Sequence, residues 1–288
     1  AAAAENRNYE DLDEWPETCQ NGTLQSPITI IKASSISTNY TDMEFYNYYN
    51  TTVMLESSGY TVELKKISEE EEKEVSSVPR VTGGPLGSEY YQFDSFHFHK
   101  DAEHTIDGYR YPMEGHFVHY NSKYDNLTNA VNYVHGFSVF SVQYEIQDTC
   151  ANSSFADIIE KLKEVTENEN TLEELTSSVD IYDLLPSDLS KFFVYTGSFT
   201  TPNCTEGALW VVFEEPVCLE RSQLEELGDI YITIGNQSLL NYNRPLQEVN
   251  EREILYSGTS HAVKVKNYLP ATVIVLCLIY RHLYPVHI

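Results

Sequence analysis

Basic residues are scarce. Eighteen lysines and arginines stand against 44 aspartates and glutamates, a net charge of -26, which excludes binding nucleic acid through a phosphate-neutralising face. It leaves a solvated, self-repelling acidic surface. No Cys-x-x-C pair occurs among Cys19, Cys150, Cys204, Cys218 and Cys277, so a cysteine zinc knuckle and a thioredoxin-type motif are both excluded, and a disulfide is the better use of these thiols. The absence of His-Glu-x-x-His removes a zinc-protease reading. There is no internal repeat and no linker before residue 258. The start, Ala1 to Ala4, carries neither a basic nor an apolar leader region, so any signal peptide has already been removed or is not included.

What is present is a chain of 288 residues, 41% hydrophobic, enough for one large all-β domain or two small ones. Sequons at Asn21, Asn39, Asn50, Asn126, Asn152, Asn203 and Asn236 point to an oxidising, secretory route and a glycoprotein. Residues 5 to 50 read as irregular. Val53 to Leu55 and Tyr60 to Leu64 alternate polar and apolar around Ser57-Ser58-Gly59 and predict two strands joined by a turn. The acidic run Glu69 to Glu74 reads as a solvated insertion, and Val78 to Gly87, with its Pro and Gly, as a loop. Phe137 to Ile146, Phe192 to Tyr195 and Ala208 to Phe213 are further strands. Phe155, Ile158, Ile159, Leu162 and Val165 follow a helical period over Ser154 to Val165, and Ser222 to Leu227 a shorter helix. Tyr268 to Tyr280 is apolar apart from Pro270 and Thr272. These thirteen residues fall short of the ~20 of a spanning helix, but their place after the globular part favours a membrane segment or a processed anchor signal.

The chemistry concentrates in Ser95-Phe96-His97-Phe98-His99 and Glu114-Gly115-His116. Side chains two apart on a strand share a face, so His97 and His99 project together while Phe96 and Phe98 are buried behind them. A second extended run, Met113 to Tyr120, puts Glu114 and His116 on a common face, and a third imidazole can converge from it. Three neutral nitrogens with an open fourth position are the signature of a catalytic zinc site.

These residues, with Glu103-His104-Thr105-Ile106-Asp107-Gly108, Met113 through Asn121, Gly197 through Gly207, Trp210 and Glu215-Pro216, resemble the α-class carbonic anhydrases. The similarity runs from Gln25-Ser26-Pro27-Ile28 to Arg244-Pro245-Leu246-Gln247. It implies a mainly β fold, a central twisted and mostly antiparallel sheet of about ten strands with a few peripheral helices. It implies zinc held by His97, His99 and His116, and reversible hydration of carbon dioxide to bicarbonate and a proton by zinc-bound hydroxide. Thr200 would accept from that hydroxide and donate to an ionised Glu103, and Glu114 would fix the tautomer of His116. Val118, Val139, Phe199 and Trp210 fall where the family lines its apolar substrate pocket, with Thr201 on the polar side. His104 and His119 take structural places behind the site. Cys19 and Cys204 match the disulfide of secreted and membrane-bound members, while Cys150 and Cys218 either pair or stay as buried thiols.

Two positions depart from the family. Tyr60 stands where a proton-shuttling histidine is usual, and a phenol titrating near 10 cannot do that work at neutral pH. Ser95 stands where many members have a glutamine bonded to the first ligand. The resemblance implies a catalytic domain over residues 1–258, and the apolar run after it leaves residues 259–288 as a tail with a candidate membrane segment. The sequons and the apolar tail point to an extracellular or organelle-lumenal, membrane-attached setting. The alternative is a non-catalytic cell-surface or assembly module on the same fold; such members generally lack ligand histidines, and all three are present here.

Overall fold

The computed structural model describes residues 12–57, 62–66, 78–150, 153–167, 175–235, 243–258 and 264–266. In chain order the strands are β1 (Thr29–Ile30), β2 (Ile36–Ser37), β3 (Met43–Tyr46), β4 (Thr51–Ser57), β5 (Val62–Lys66), β6 (Arg80–Gly83), β7 (Tyr91–Lys100) and β8 (Thr105–Ile106). They continue with β9 (Met113–Asn121), β10 (Phe137–Ile146), β11 (Leu175–Val179), β12 (Phe192–Ser198), β13 (Glu206–Phe213), β14 (Val217–Leu219), β15 (Leu255–Ser257) and β16 (Lys264–Lys266). The helices are α1 (Glu17–Asn21), α2 (Leu127–Ala130), α3 (Ser153–Glu167) and α4 (Arg221–Gly235).

Ten strands make one path, β11-β4-β5-β7-β9-β10-β13-β12-β15-β2; β3, β6, β14 and β16 attach at its sides, and β1 and β8 pair separately. The β10–β13 and β15–β2 junctions are parallel, so the sheet is mixed, with antiparallel pairing in the majority. Its two faces bury different clusters. One face holds Phe96, Phe98, Phe117, Phe140 and Val211, covered by Phe155, Ile158 and Ile159 of α3. The other holds Phe137, Val139, Trp210, Val212 and Phe193.

Three elements differ from the sequence reading. The Val78 to Gly87 stretch contains β6, because buried Val81 pairs with Tyr91 and the glycines only end the strand. The second helix runs well past Leu227, to Gly235. Residues 5 to 50 include α1 and three short strands, each fastened to distant chain rather than to its neighbours. Tyr60, the Glu69 to Glu74 run and the Tyr268 to Tyr280 stretch lie outside the described residues. Among the described residues no helix is long and apolar enough to cross a membrane.

The register of β7 depends on one extra residue. Phe93 faces His119 and Ser95 faces Val118, which leaves Asp94 as a bulge. A bulge shifts the two-residue alternation by one: Tyr91 and Phe93 enter the aromatic core, and beyond Asp94 it is Phe96 and Phe98 that do. The odd positions His97 and His99 are thereby delivered to the opposite face. On β9, Gly115 lets the strands close, since a Cβ there would lie 2.8 Å from the Phe96 ring.

His119 lies fully buried against Phe93 and Phe140 with Nε2 2.6 Å from the Tyr48 hydroxyl. Burial lowers its pKa to about 3. Between about 6.5 and 3 the unfolded chain takes up a proton that the folded chain refuses, so this contribution to stability is complete above pH 6.5 and lost as pH falls. We expect it to remove about 2 kcal/mol by pH 5. Urea unfolding at pH 7 and pH 5 checks this, because His119→Gln should flatten the slope; an unchanged slope would assign it elsewhere.

Candidate metal centre

Adjacent strands bring the three histidines together. His97 on β7 lies directly opposite His116 on β9, and His99 opposite Glu114. The ring centroids are 5.2 Å (His97–His99), 5.3 Å (His97–His116) and 4.6 Å (His99–His116) apart. One nitrogen from each of the three can be chosen so that all lie within 4.8 Å of one another. His99 and His116 are buried and His97 is half-buried, so His97 is the most solvent-accessible of the three. A second cluster, His104, Glu114 and His116, is as tight, but its atoms are occupied by hydrogen bonds to one another. The donor set that fits a metal ion is the three-histidine group.

Glu114, fully buried, organises one side. Its Oε1 lies 2.7 Å from each of His116 Nε2, His104 Nδ1 and the Ser141 hydroxyl, and its Oε2 accepts the His104 backbone N–H at 2.8 Å. With Nε2 of His116 engaged, Nδ1 is the nitrogen left for the three-histidine group. Burial pushes the Glu114 carboxyl up, but the attraction and hydrogen bonds of His104 and His116 outweigh it and hold the pKa well below the usual range. Burial, aided by the neighbouring His99, lowers His116, which favours the neutral imidazole a metal requires. His104 Nε2 meets the Tyr195 hydroxyl at 2.7 Å, and that hydroxyl meets Ser26 Oγ at 2.8 Å. A continuous buried chain thus backs the carboxylate.

Glu103, also fully buried, lies on the other side, with Oε2 3.5 Å from His99 Nε2. Burial raises its pKa to about 7, against the opposing pull of His116, the Arg244 backbone N–H and the Thr200 side chain, a hydrogen-bonding neighbour. Thr200 is buried and Thr201 half-buried, on a turn closed by Phe199 N–H to Thr205 O at 3.0 Å and Cys204 N–H to Thr201 O at 2.8 Å. That turn is tied down by the Cys19–Cys204 disulfide. Cys150 and Cys218 are also bonded, joining the chain beyond β10 to β14.

The apolar wall is a cross-strand row. Val118, Val139 and Trp210 are neighbours on β9, β10 and β13, all essentially buried. Trp210 donates from Nε1 to Ser198 O at 3.0 Å, and its ring stands 5.0 Å from His116. Phe199 stacks on Phe137 at 4.5 Å. Sequence reasoning missed Leu127 and Val131, which pack on the same cluster. It also missed Ser141, which in-phase spacing from Val139 could have flagged. Ser95 is buried on the His97 face, opposite Val118, and hydrogen-bonds the Asp94 carboxyl.

Fold and site together define a β protein that carries a largely buried three-histidine group able to hold one metal ion, beside an apolar cross-strand row. The model of the eukaryotic-type carbonic anhydrases matches residues 10–258. Carbonic anhydrase 6 of Bos taurus is 31% identical over 253 residues, covering 83% of this chain and 75% of that protein. Putative carbonic anhydrase 5 of Caenorhabditis elegans is 30% identical over 272 residues, covering 91% and 85%. The α-carbonic anhydrase of Thermovibrio ammonificans, solved with the inhibitor sulfanilamide, superposes with a TM-score of 0.63 at 28% identity, covering 83% of this chain and 89% of that one. The chain belongs to the eukaryotic-type carbonic anhydrase family.

Proposed function

We propose that this protein is a zinc-dependent lyase that hydrates carbon dioxide reversibly to bicarbonate and a proton. The observation that carries the reading is the convergence of His97, His99 and His116 with Glu114 already bonded behind His116. Zinc held by those residues would lower the pKa of bound water to about 7, a value for which carbonic anhydrase is itself the standard example, and so supply a nucleophile at neutral pH. Above the pH of about 7 at which buried Glu103 ionises, Thr200 holds its hydroxyl proton toward that carboxylate, which frees the threonine oxygen to accept and fixes the direction from which attack comes. The row Val118, Val139 and Trp210, with Phe199, offers an unreactive and weakly hydrated substrate a surface that does not compete with hydrogen bonds. Thr201 supplies the polar edge. Glu114 keeps His116 in one tautomer and raises its basicity.

The proton must leave once per turnover, and Tyr60 is unsuited to carry it, so export falls to buffer or to another group. The two disulfides and five exposed sequons, at Asn21, Asn39, Asn50, Asn126 and Asn203, favour an extracellular or lumenal setting, with the segment after residue 258 as attachment. Replacing Thr200 by Ala should leave zinc in place and lower the hydration rate ~10²-fold through loss of one directed hydrogen bond. A stopped-flow hydration assay with zinc analysis decides it; an unchanged rate would remove Thr200 from the mechanism.

A further inference from the structure

Arg244 is an arginine with only 3% exposure, and its guanidinium is spent on two main-chain carbonyls rather than on solvent. One amino group donates to Ser26 O at 2.8 Å and the other to Cys19 O at 2.7 Å, with the Trp15 ring 5.7 Å from its centre. Burying a guanidinium is costly unless its donors are met, so a fork held at both tines fixes the backbone it hangs from. That backbone N–H donates to Glu103 Oε1 at 3.0 Å. The preceding residue acts on the same turn: Asn243 Nδ2 donates to Lys100 O and Asp101 O, both at 2.6 Å, where Asp101 has a φ of 57°.

We propose that Arg244 is a positioning residue that sets the rotation of the Glu103 carboxylate, and through it the direction of the Thr200 hydroxyl. Its own anchor is the Cys19 carbonyl, so the Cys19–Cys204 disulfide fastens both ends of the arrangement. One sulfur holds the Thr200 turn and the other holds the strut behind Glu103. With Oε1 committed to the Arg244 N–H, the rotation of the carboxylate is set, and Oε2 is kept on the His99 side, 3.5 Å from Nε2. Release Arg244 and the carboxylate can rotate while staying buried. This inference rests on the hydration reading above.

The test is a double-mutant cycle on the zinc-loaded, oxidised protein, with Arg244→Ala and Arg244→Lys each made alone and with Thr200→Ala. Lysine keeps a charge but cannot bridge two carbonyls, so it serves if alanine fails to fold. Expected is a loss of about 10-fold in hydration kcat/KM from either change alone, the scale of a displaced catalytic group, and less than about 2-fold once Thr200 is alanine. Zinc content should stay at one per chain. In the metal-free protein, amide exchange in the peptide spanning residues 100–106 should quicken in both variants. Losses that multiply with Thr200→Ala, full activity in both variants, or unchanged exchange would each overturn the assignment. A wild-type protein without hydration activity would instead strike the proposed function, and the exchange result would still decide the strut.

Discussion

Alanine at His97, His99 or His116 is expected to drop bound zinc from one per chain to a trace and to take carbon dioxide hydration to the uncatalysed rate. Two imidazoles leave the ion under-coordinated, and a weak chelator then wins the competition. The three variants should differ in stability. His97 is half-buried on one face of β7 while Phe96 and Phe98 keep the other face in the core, so the metal-free His97→Ala protein should unfold within about 1 kcal/mol of the parent. His116→Ala removes a donor from the fully buried Glu114 carboxylate and should cost a further 1–3 kcal/mol, approximately. Zinc analysis after dialysis, paired with urea unfolding of the stripped proteins, separates the effects. One bound zinc and full activity in any variant would remove that histidine from the ligand set.

Replacing Cys19 and Cys204 together by serine should cost the fold about 5 kcal/mol. The bond closes a loop of 185 residues, and in the chain-entropy model the unfolded ensemble regains that freedom when the bond is lost. The cost should not be purely global, because the bond pins α1 against the turn that carries Thr200 and supports the Arg244 strut. We expect hydration to fall further than unfolding explains, measured at a urea-free temperature well below the melting transition. Denaturant unfolding compared with parent kinetics checks both parts. A loss under about 1 kcal/mol with unchanged kcat/KM would leave the bond ornamental.

The sequence displayed the imidazoles because a strand writes its faces in alternate letters. His97 and His99 separated by Phe98, and Glu114 and His116 separated by Gly115, are readable in that period. The α3 helix was equally plain, since Phe155, Ile158 and Ile159 mark one face. The Asp94 bulge was not, because one residue without a partner has no signature in composition; it is visible only where Phe93 and Phe96 both turn out to be core. Nor did β6 declare itself, for its Pro and Gly neighbours spell a loop and only pairing to β3 and β7 makes it a strand. Arg244 and Glu103 lie 141 residues apart, beyond any local pattern. The family resemblance supplied Glu103, Thr200 and the wall residues. Leu127, opening the short helix α2, and Val131, just past its end, pack on the same cluster.

Non-catalytic modules on this fold generally lack ligand histidines, whereas His97, His99 and His116 are all present here, and activity is the quantity that separates the two readings. The direct measurement is stopped-flow carbon dioxide hydration on metal-stripped protein titrated with zinc. Expected are no catalysis in the stripped protein, a linear rise to a plateau at one zinc per chain, and abolition of that rate by an aromatic sulfonamide. One tightly bound zinc per chain with hydration no faster than in buffer alone would contradict the hydration reading.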